Sequence, residues 1–406
     1  MPWKDTRPAA QSGARFKSDP DPAILALLHD CHCHPSDDAS FSPNVLQRLQ
    51  TGAFCAMSSS LSNQDKTKEV YQARPNDVVP CFGLHPWFCH PISLQPPDSL
   101  PAKADHYASL FPSPSSPSSP HPSLDAVLPI FPDPIPLTTF LSTLESNLLA
   151  CPTSMVGEIG LDKAFRIPNP PEIAADKRNP KNTDLATPVA HQLAVVEAQV
   201  DLAIRLRRNI SLHSVRAAQD TVDMLKRFKE KEGWERIFVC LHSFGGSAES
   251  AKQIQRTHHN VFFSFATIIS GRSPNFHNLL RAIEPERLLT ESDFSATKEI
   301  DDQVRPRLAV RLLPTAPPAE RSRFLPAASQ IWEVFEAIME ARDWSADQAV
   351  AQLAANWQRF TAPESARPLP PKSSKQRKRE KRHPDLYVSE EDEDDRGGPH
   401  CNMTGR

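Results

Sequence analysis

The chain has 406 residues, enough for one large domain or two of ordinary size. Its 46 basic and 49 acidic residues nearly balance, so bulk charge makes no global case for nucleic-acid binding. Hydrophobic residues are 39% of the chain and 41 prolines stand against 12 glycines, which suits a globular core diluted by proline-rich segments, and no apolar run approaches the ~20 residues that span a bilayer.

Residues 1–22 are polar and proline-containing and read as a flexible arm, with no apolar signal region after Met1. The first predicted strand is Leu25–Asp30, and it runs into Asp30-Cys31-His32-Cys33-His34. Side chains alternate with period two along a strand. His32 and His34 therefore point the same way at the end of a core strand, which suits a divalent metal, while Cys31 and Cys33 face the packing side. Ala53–Ser58 and Val78–Leu84 are the second and third strands, and the third leads into Gly83-Leu84-His85-Pro86-Trp87. Residues 91–137, rich in Pro and Ser, read as a loop insertion without strand or helix interior.

Met155–Ile159 is the fourth strand, within Val156-Gly157-Glu158-Ile159-Gly160-Leu161-Asp162. A second polar insertion covers about residues 166–187. The clearest helix follows, Val189–Arg208, with its apolar residues on one stripe. Strands Ile210–His213, Ile237–His242, Val261–Phe265 and Leu288–Glu291 then alternate with helices Ala217–Phe228 and Ala248–Arg256, and helices Ser329–Arg342 and Ser345–Gln358 complete the core at residue 362. Residues 363–406 carry a basic run, Lys375–Arg382, then an acidic run after Ser389, and read as a disordered tail. The basic run matches a nuclear address, a nucleic-acid contact or a solubilising tail, and Ser389 suits an acid-directed kinase. The eight cysteines lie mostly in apolar strands rather than in a spaced framework, and predict reduced, buried thiols in an intracellular protein.

Eight short apolar strands alternating with helices predict a parallel (β/α)8 barrel, whose active site lies at the C-terminal strand ends. Those ends carry His32 and His34, His85, Glu158, His213, His242 and Asp293. Any one of them could be a capped or solvated residue. Together they form a set of metal-competent side chains with no Lys or Arg among them.

On these residues the chain resembles the TatD-type metal-dependent deoxyribonucleases. The matching motifs are His32-x-His34, Gly157–Asp162, His213-Ser214, His242-Ser243-Phe244-Gly245-Gly246, Glu291-Ser292-Asp293 and Asn356-Trp357-Gln358-Arg359-Phe360. The insertions and charged tail look like the family's fungal branch, which includes partners of a cell-cycle protein. The resemblance implies one metal on His32, His34, Glu158 and Asp293, and a second on Glu158, His213 and His242, with Glu158 bridging. His85 takes the place of a further pocket histidine that positions phosphate. Two departures concern the substrate more than the metals: the family's Arg two residues after His213 is Val215 here, with Arg216 one later, and Phe294 follows Asp293.

The implied chemistry is phosphodiester hydrolysis by a water activated at a dinuclear centre, with Asp293 accepting its proton. Four imidazoles and two carboxylates favour Zn or Mn, and Mg stays open as the working ion. DNA is the expected substrate, a cell-cycle protein the expected partner, and the cytoplasm or nucleus the expected site of action. No membrane partner is expected, and nothing demands more than a monomer. Two alternatives stay open: a hydrolase of amides or small esters on the same scaffold, and a barrel kept as a protein-interaction module. Trp87 and Phe88 could stack on a base or cap the barrel mouth.

Overall fold

The computed structural model describes residues 21–37, 52–113, 116–170, 182–267, 269–293 and 318–362. The N-terminal arm up to residue 20 and the charged tail lie outside them, as does Phe294. Eight strands build one sheet: β1 Asp30–Cys33, β2 Phe54–Met57, β3 Val78–Phe82, β4 Met155–Asp162, β5 Ile210–Val215, β6 Val239–Leu241, β7 Val261–Phe265 and β8 Leu288–Thr290. They run in sequence order, and every neighbouring pair is parallel.

Single hydrogen bonds close the seam between β8 and β1. The Asp293 N–H donates to the His32 carbonyl at 2.9 Å, and the Thr290 hydroxyl donates to the His29 carbonyl at 2.6 Å. The buried Asp30 carboxylate accepts from the Ser292 N–H at 3.0 Å and its hydroxyl at 2.5 Å. The sheet is thus a nearly closed (β/α)8 barrel.

Helices cover its outside: α1 Gln64–Ala73, α2 Leu137–Ala150, α3 Val189–Arg205, α4 Ala218–Lys229, α5 Ala248–Thr257, α6 Phe276–Ala282, α7 Pro318–Arg342 and α8 Ala346–Thr361. Apolar strand residues alternate between two cores, as period two demands. The outer core sets Val156, Ile210, Val239, Phe263 and Leu288 against helix residues such as Leu144, Val196, Leu225 and Phe335. The inner core holds Cys31, Cys55, Met57, Cys81, Met155, Cys240, Phe262 and Leu289. Trp357 and Phe360 of α8 plug its floor. The seven described cysteines are free and buried.

Two expectations need correction. The first strand does not begin at Leu25: Pro22–Leu25 is a helical turn and β1 starts at Asp30. Leu25 and Leu28 are buried, but as part of the outer core around that turn, so their apolar run mimics a strand. The segment 91–137 is also more than a loop. It holds a helix, Lys103–Leu110, a hairpin of Pro112–Ser113 with Ser116–Pro120, and a helical turn, Leu124–Val127. Its Tyr107, Phe111, Leu124, Val127 and Phe131 share a small core with Ile167 and Leu185 from the second insertion. A short hydrogen bond, Ser123 Oγ to Asp184 at 2.6 Å, also joins the two insertions. Both leave the barrel past the C-terminal ends of β3 and β4 and form one subdomain on that face. No helix among the described residues is long and apolar enough to cross a membrane.

Candidate metal centre

Glu158 lies inside β4, where the β4–β5 pairing is irregular between Val156 and Ile159, and it is 3% exposed. Its two carboxylate oxygens face different imidazoles. Oε2 is 3.2 Å from His34 Nε2 and 3.6 Å from His32 Nε2. Oε1 is 2.7 Å from His213 Nδ1, 2.7 Å from His242 Nε2 and 3.3 Å from His85 Nε2. Asp293 Oδ1 stands 3.6 Å from His34 Nε2 and 3.9 Å from His32 Nε2. The seven residues singled out in the sequence therefore meet around one carboxylate.

The division into two ligand sets is looser than the family pattern implies. Among the described residues, three groups have ligand atoms close enough to share an ion: His32, His34 and Glu158; His85, Glu158 and His213; and His32, His242 and Asp293. His242 is stacked on His32 at 3.7 Å, with rings 1° apart, and so lies between the halves.

Local chain geometry brings these groups together. His32 reaches the centre from β1, and the seam bond from its carbonyl to the Asp293 N–H fixes one acid against it. Gly160 has a φ of 148°, and a Cβ there would collide with the carbonyl of His213, so this residue lets β4 approach β5 at the ligand position.

Burial raises the free energy of charge on Glu158, yet the fields of His85, His242, His32 and His213 hold its carboxyl well below the usual carboxylate range. The imidazoles divide accordingly. Burial and the neighbouring His242 lower His32 to about 3. Burial also works against charge on His213, but Glu158 and Asp162 raise it to about 9. His34 is likewise raised by Asp37 and Glu158 against its burial.

A second ring of groups orients the first. Ser211 Oγ is 2.8 Å from His32 Nδ1, Ser59 Oγ is 3.2 Å from His34 Nδ1, and Asp162 Oδ2 is 3.2 Å from His213 Nε2. Each contact leaves the other ring nitrogen facing the centre, which is how metal-binding histidines are held. The fit to a cation follows from what remains. His32 Nε2 and His34 Nε2 face each other at 3.1 Å, and so do His213 Nδ1 and His242 Nε2. Two buried imidazole nitrogens that close need a proton or a cation to share. His85 differs: its Nδ1 accepts the Trp87 N–H at 3.1 Å, so the proton of the neutral ring sits on Nε2, toward Glu158. It is a donor into the centre rather than a lone pair.

Asp162, Ser211, Ser59 and Asp37 were not singled out as site residues. Period two was the available signal for two of them, since Asp162 shares a strand face with Glu158, and Ser211 with His213. Ser59 and Asp37 sit where the chain leaves its strands, and no spacing marks them. Cys31 and Cys33 stay out of the centre as packing residues, with Cys33 Sγ donating to the Cys55 carbonyl at 3.3 Å. Val215 still belongs to β5 and pairs with Asp162, while Arg216 is exposed with a φ of 51°.

The TatD related DNase family model matches residues 29–362. The chain is 29% identical over 321 residues to the Cut9-interacting protein scn1 of Schizosaccharomyces pombe, covering 70% of this chain and 92% of that protein. It is 25% identical over 274 residues to a Saccharomyces cerevisiae protein described as uncharacterized deoxyribonuclease YMR262W, covering 66% and 83% of the two chains. A solved TatD family hydrolase from Entamoeba histolytica shares the fold, with a TM-score of 0.51 at 16% identity over 83% of this chain and 98% of that one. From His29, just before β1, to the end of α8, the chain belongs to the TatD related DNase family.

Proposed function

We propose that the chain is a metal-dependent deoxyribonuclease that hydrolyses phosphodiester bonds with two divalent cations bound around Glu158. The observation that carries this reading is the partition of the Glu158 carboxylate, one oxygen toward His32 and His34 and the other toward His213 and His242. His32, His34 and Asp293 would hold one cation, and His213 and His242 the other, with Glu158 shared. Divalent ions held there would acidify water toward neutral pH and offset the charge of the phosphate.

The chain's own residues supply the rest. Asp293 reaches the centre beside His32 and His34 and is the carboxylate placed to take a proton from water. His85 Nε2–H is a fixed donor for a phosphate oxygen. Two dications outweigh the charges of Glu158 and Asp293, so the loaded centre draws anions. Softness favours Zn for the imidazole-rich set, with Mn or Mg, which the carboxylates and water suit, as the alternatives. The likeness to scn1, named for its interaction with Cut9, supports a protein partner of that kind for this chain too.

The test is turnover of a labelled single-stranded DNA oligonucleotide with Mn2+ or Mg2+ by wild type, Glu158→Ala and Asp293→Ala. Each variant should lose at least about 100-fold in rate, since removing either acid takes several kcal/mol from transition-state charge stabilisation. Equal rates in all three would refute the proposal. Turnover of small esters or amides without the oligonucleotide would move the chain to another hydrolase class.

A further inference from the structure

Asp162 is a junction. Its Oδ2 accepts from His213 Nε2 at 3.2 Å and from the Trp87 indole N–H at 2.6 Å. Its Oδ1 accepts from the backbone N–H groups of Ala164 at 2.7 Å and Phe165 at 2.9 Å. Gln192 of α3 accepts its N–H and donates to its carbonyl. Burial opposes charge here, but the bonds from His213 and Trp87 hold the carboxyl down at about 2. Trp87 stands at the root of the first insertion and Phe165 at the root of the second. Their rings stack at 4.9 Å, 14° apart. Phe165 also packs against the insertion core of Tyr107, Phe111 and Phe131.

We infer that Trp87 and Asp162 are positioning residues that couple the insertion subdomain to His213, so that the packing of the insertions sets the affinity of the His213 half of the centre for its cation. This inference rests on the metal-centre reading. Its physical basis is the geometry. A carboxylate on the outer nitrogen of a ligand imidazole fixes the ring and raises its basicity, and losing such a partner lowers metal affinity by about 10–100-fold. Here the carboxylate is itself fixed by the indole N–H, and the indole by Phe165. The aromatic pair therefore carries a displacement of the insertions to a ligand, whereas His32 and His34 depend on Ser211, Ser59 and Asp37 instead.

The experiment is titration of the full metal-free chain with Co2+, following the visible d–d absorption and the stoichiometry. Trp87→Phe keeps a ring to stack on Phe165 and removes only the indole donor. It should weaken one of two binding steps about 10-fold and leave the other unmoved, with the thermal midpoint of the metal-free chain within a few degrees of wild type. Asp162→Asn should weaken the same step further. A merely structural role would lower both steps together, or stability alone, and would overturn the inference, as would two unchanged steps in folded Trp87→Phe. If Trp87→Phe folds poorly, Phe165→Leu tests the same link from the other side, with the same single step expected to weaken about 3-fold and an unchanged step overturning it. A wild type that takes up no cobalt defeats this inference and the metal-centre reading together, whereas normal wild-type uptake with unaltered variants defeats this inference alone.

Discussion

At the scale of single residues, the centre is a carboxylate ringed by imidazoles that compete for protons in the absence of a cation. His213 shows the consequence. Its ordinary value is 6.5 and the fold raises it to about 9, against its burial, through Glu158 and Asp162. Below pH 6.5 folded and unfolded chains both hold this proton, and the stabilisation is complete. Between 6.5 and 9 the folded chain keeps a proton that the unfolded chain has released, so stability falls as pH rises through that window. Denaturant unfolding of the chelator-treated chain at pH 6, 7.5 and 9 should show this decline, and His213→Gln should flatten it. A wild-type profile that is level or rises, relative to His213→Gln, contradicts the assignment. His85 yields a separate outcome. Because its Nε2 carries a proton, His85→Ala should leave metal content unchanged by elemental analysis and cut oligonucleotide turnover by about 100-fold, the scale for removing one donor to a developing charge. A loss of bound metal would make His85 a ligand instead.

At the scale of elements, α8 shows how a family motif can be structural. Asn356 Nδ2 donates to the carbonyls of Pro285 at 2.6 Å and Leu288 at 2.8 Å, which ties α8 to the start of β8. Phe360 and Trp357 fill the barrel floor, and Arg359 lies 4.9 Å over the Phe262 ring. Asn356→Ala would remove both bonds and leave the buried Leu288 carbonyl without this donor, at a cost of about 1–3 kcal/mol. It should lower the unfolding midpoint while the folded fraction keeps its rate per molecule, measured by denaturant titration beside the oligonucleotide assay. Apart from β1, the strands that carry ligands are legible in the sequence because their apolar runs lead into His or acids. β7 stands where its run predicts, β5 continues two residues past His213 to Val215, and α3 needs only its last turn trimmed to Arg205. β1 was misplaced because burial alone does not distinguish a strand from a helical turn: Leu25 and Leu28 are as buried as strand residues. The helix α2 went unread because its start at Leu137 abuts the proline-rich run. The inward convergence of the seven site residues followed from barrel geometry, but Ser59 and Asp37 act through tertiary proximity that no periodicity encodes.

At the scale of the whole molecule, the chain is a barrel with a second, smaller core mounted on its catalytic face. That small core has few residues, and Tyr107 is its centre: fully buried, 4.4 Å from the Phe131 ring, with its hydroxyl donating to the Pro132 carbonyl at 2.8 Å. The outer barrel core is far larger and shares none of these residues. A substitution in the small core should therefore open the insertions before it threatens the barrel, because local stability follows local apolar contact. Tyr107→Ala removes a large aromatic side chain and its hydrogen bond, a loss of about 3–5 kcal/mol for such a truncation. A subdomain of this size cannot absorb that loss, whereas the barrel's main transition should hardly move. Limited proteolysis of Tyr107→Ala should thus cut first between residues 90 and 136, leaving a nicked barrel that unfolds at nearly the wild-type denaturant midpoint. Cuts spread through the barrel, or a midpoint that falls with the nick, would mean that the insertions and the barrel are one cooperative unit.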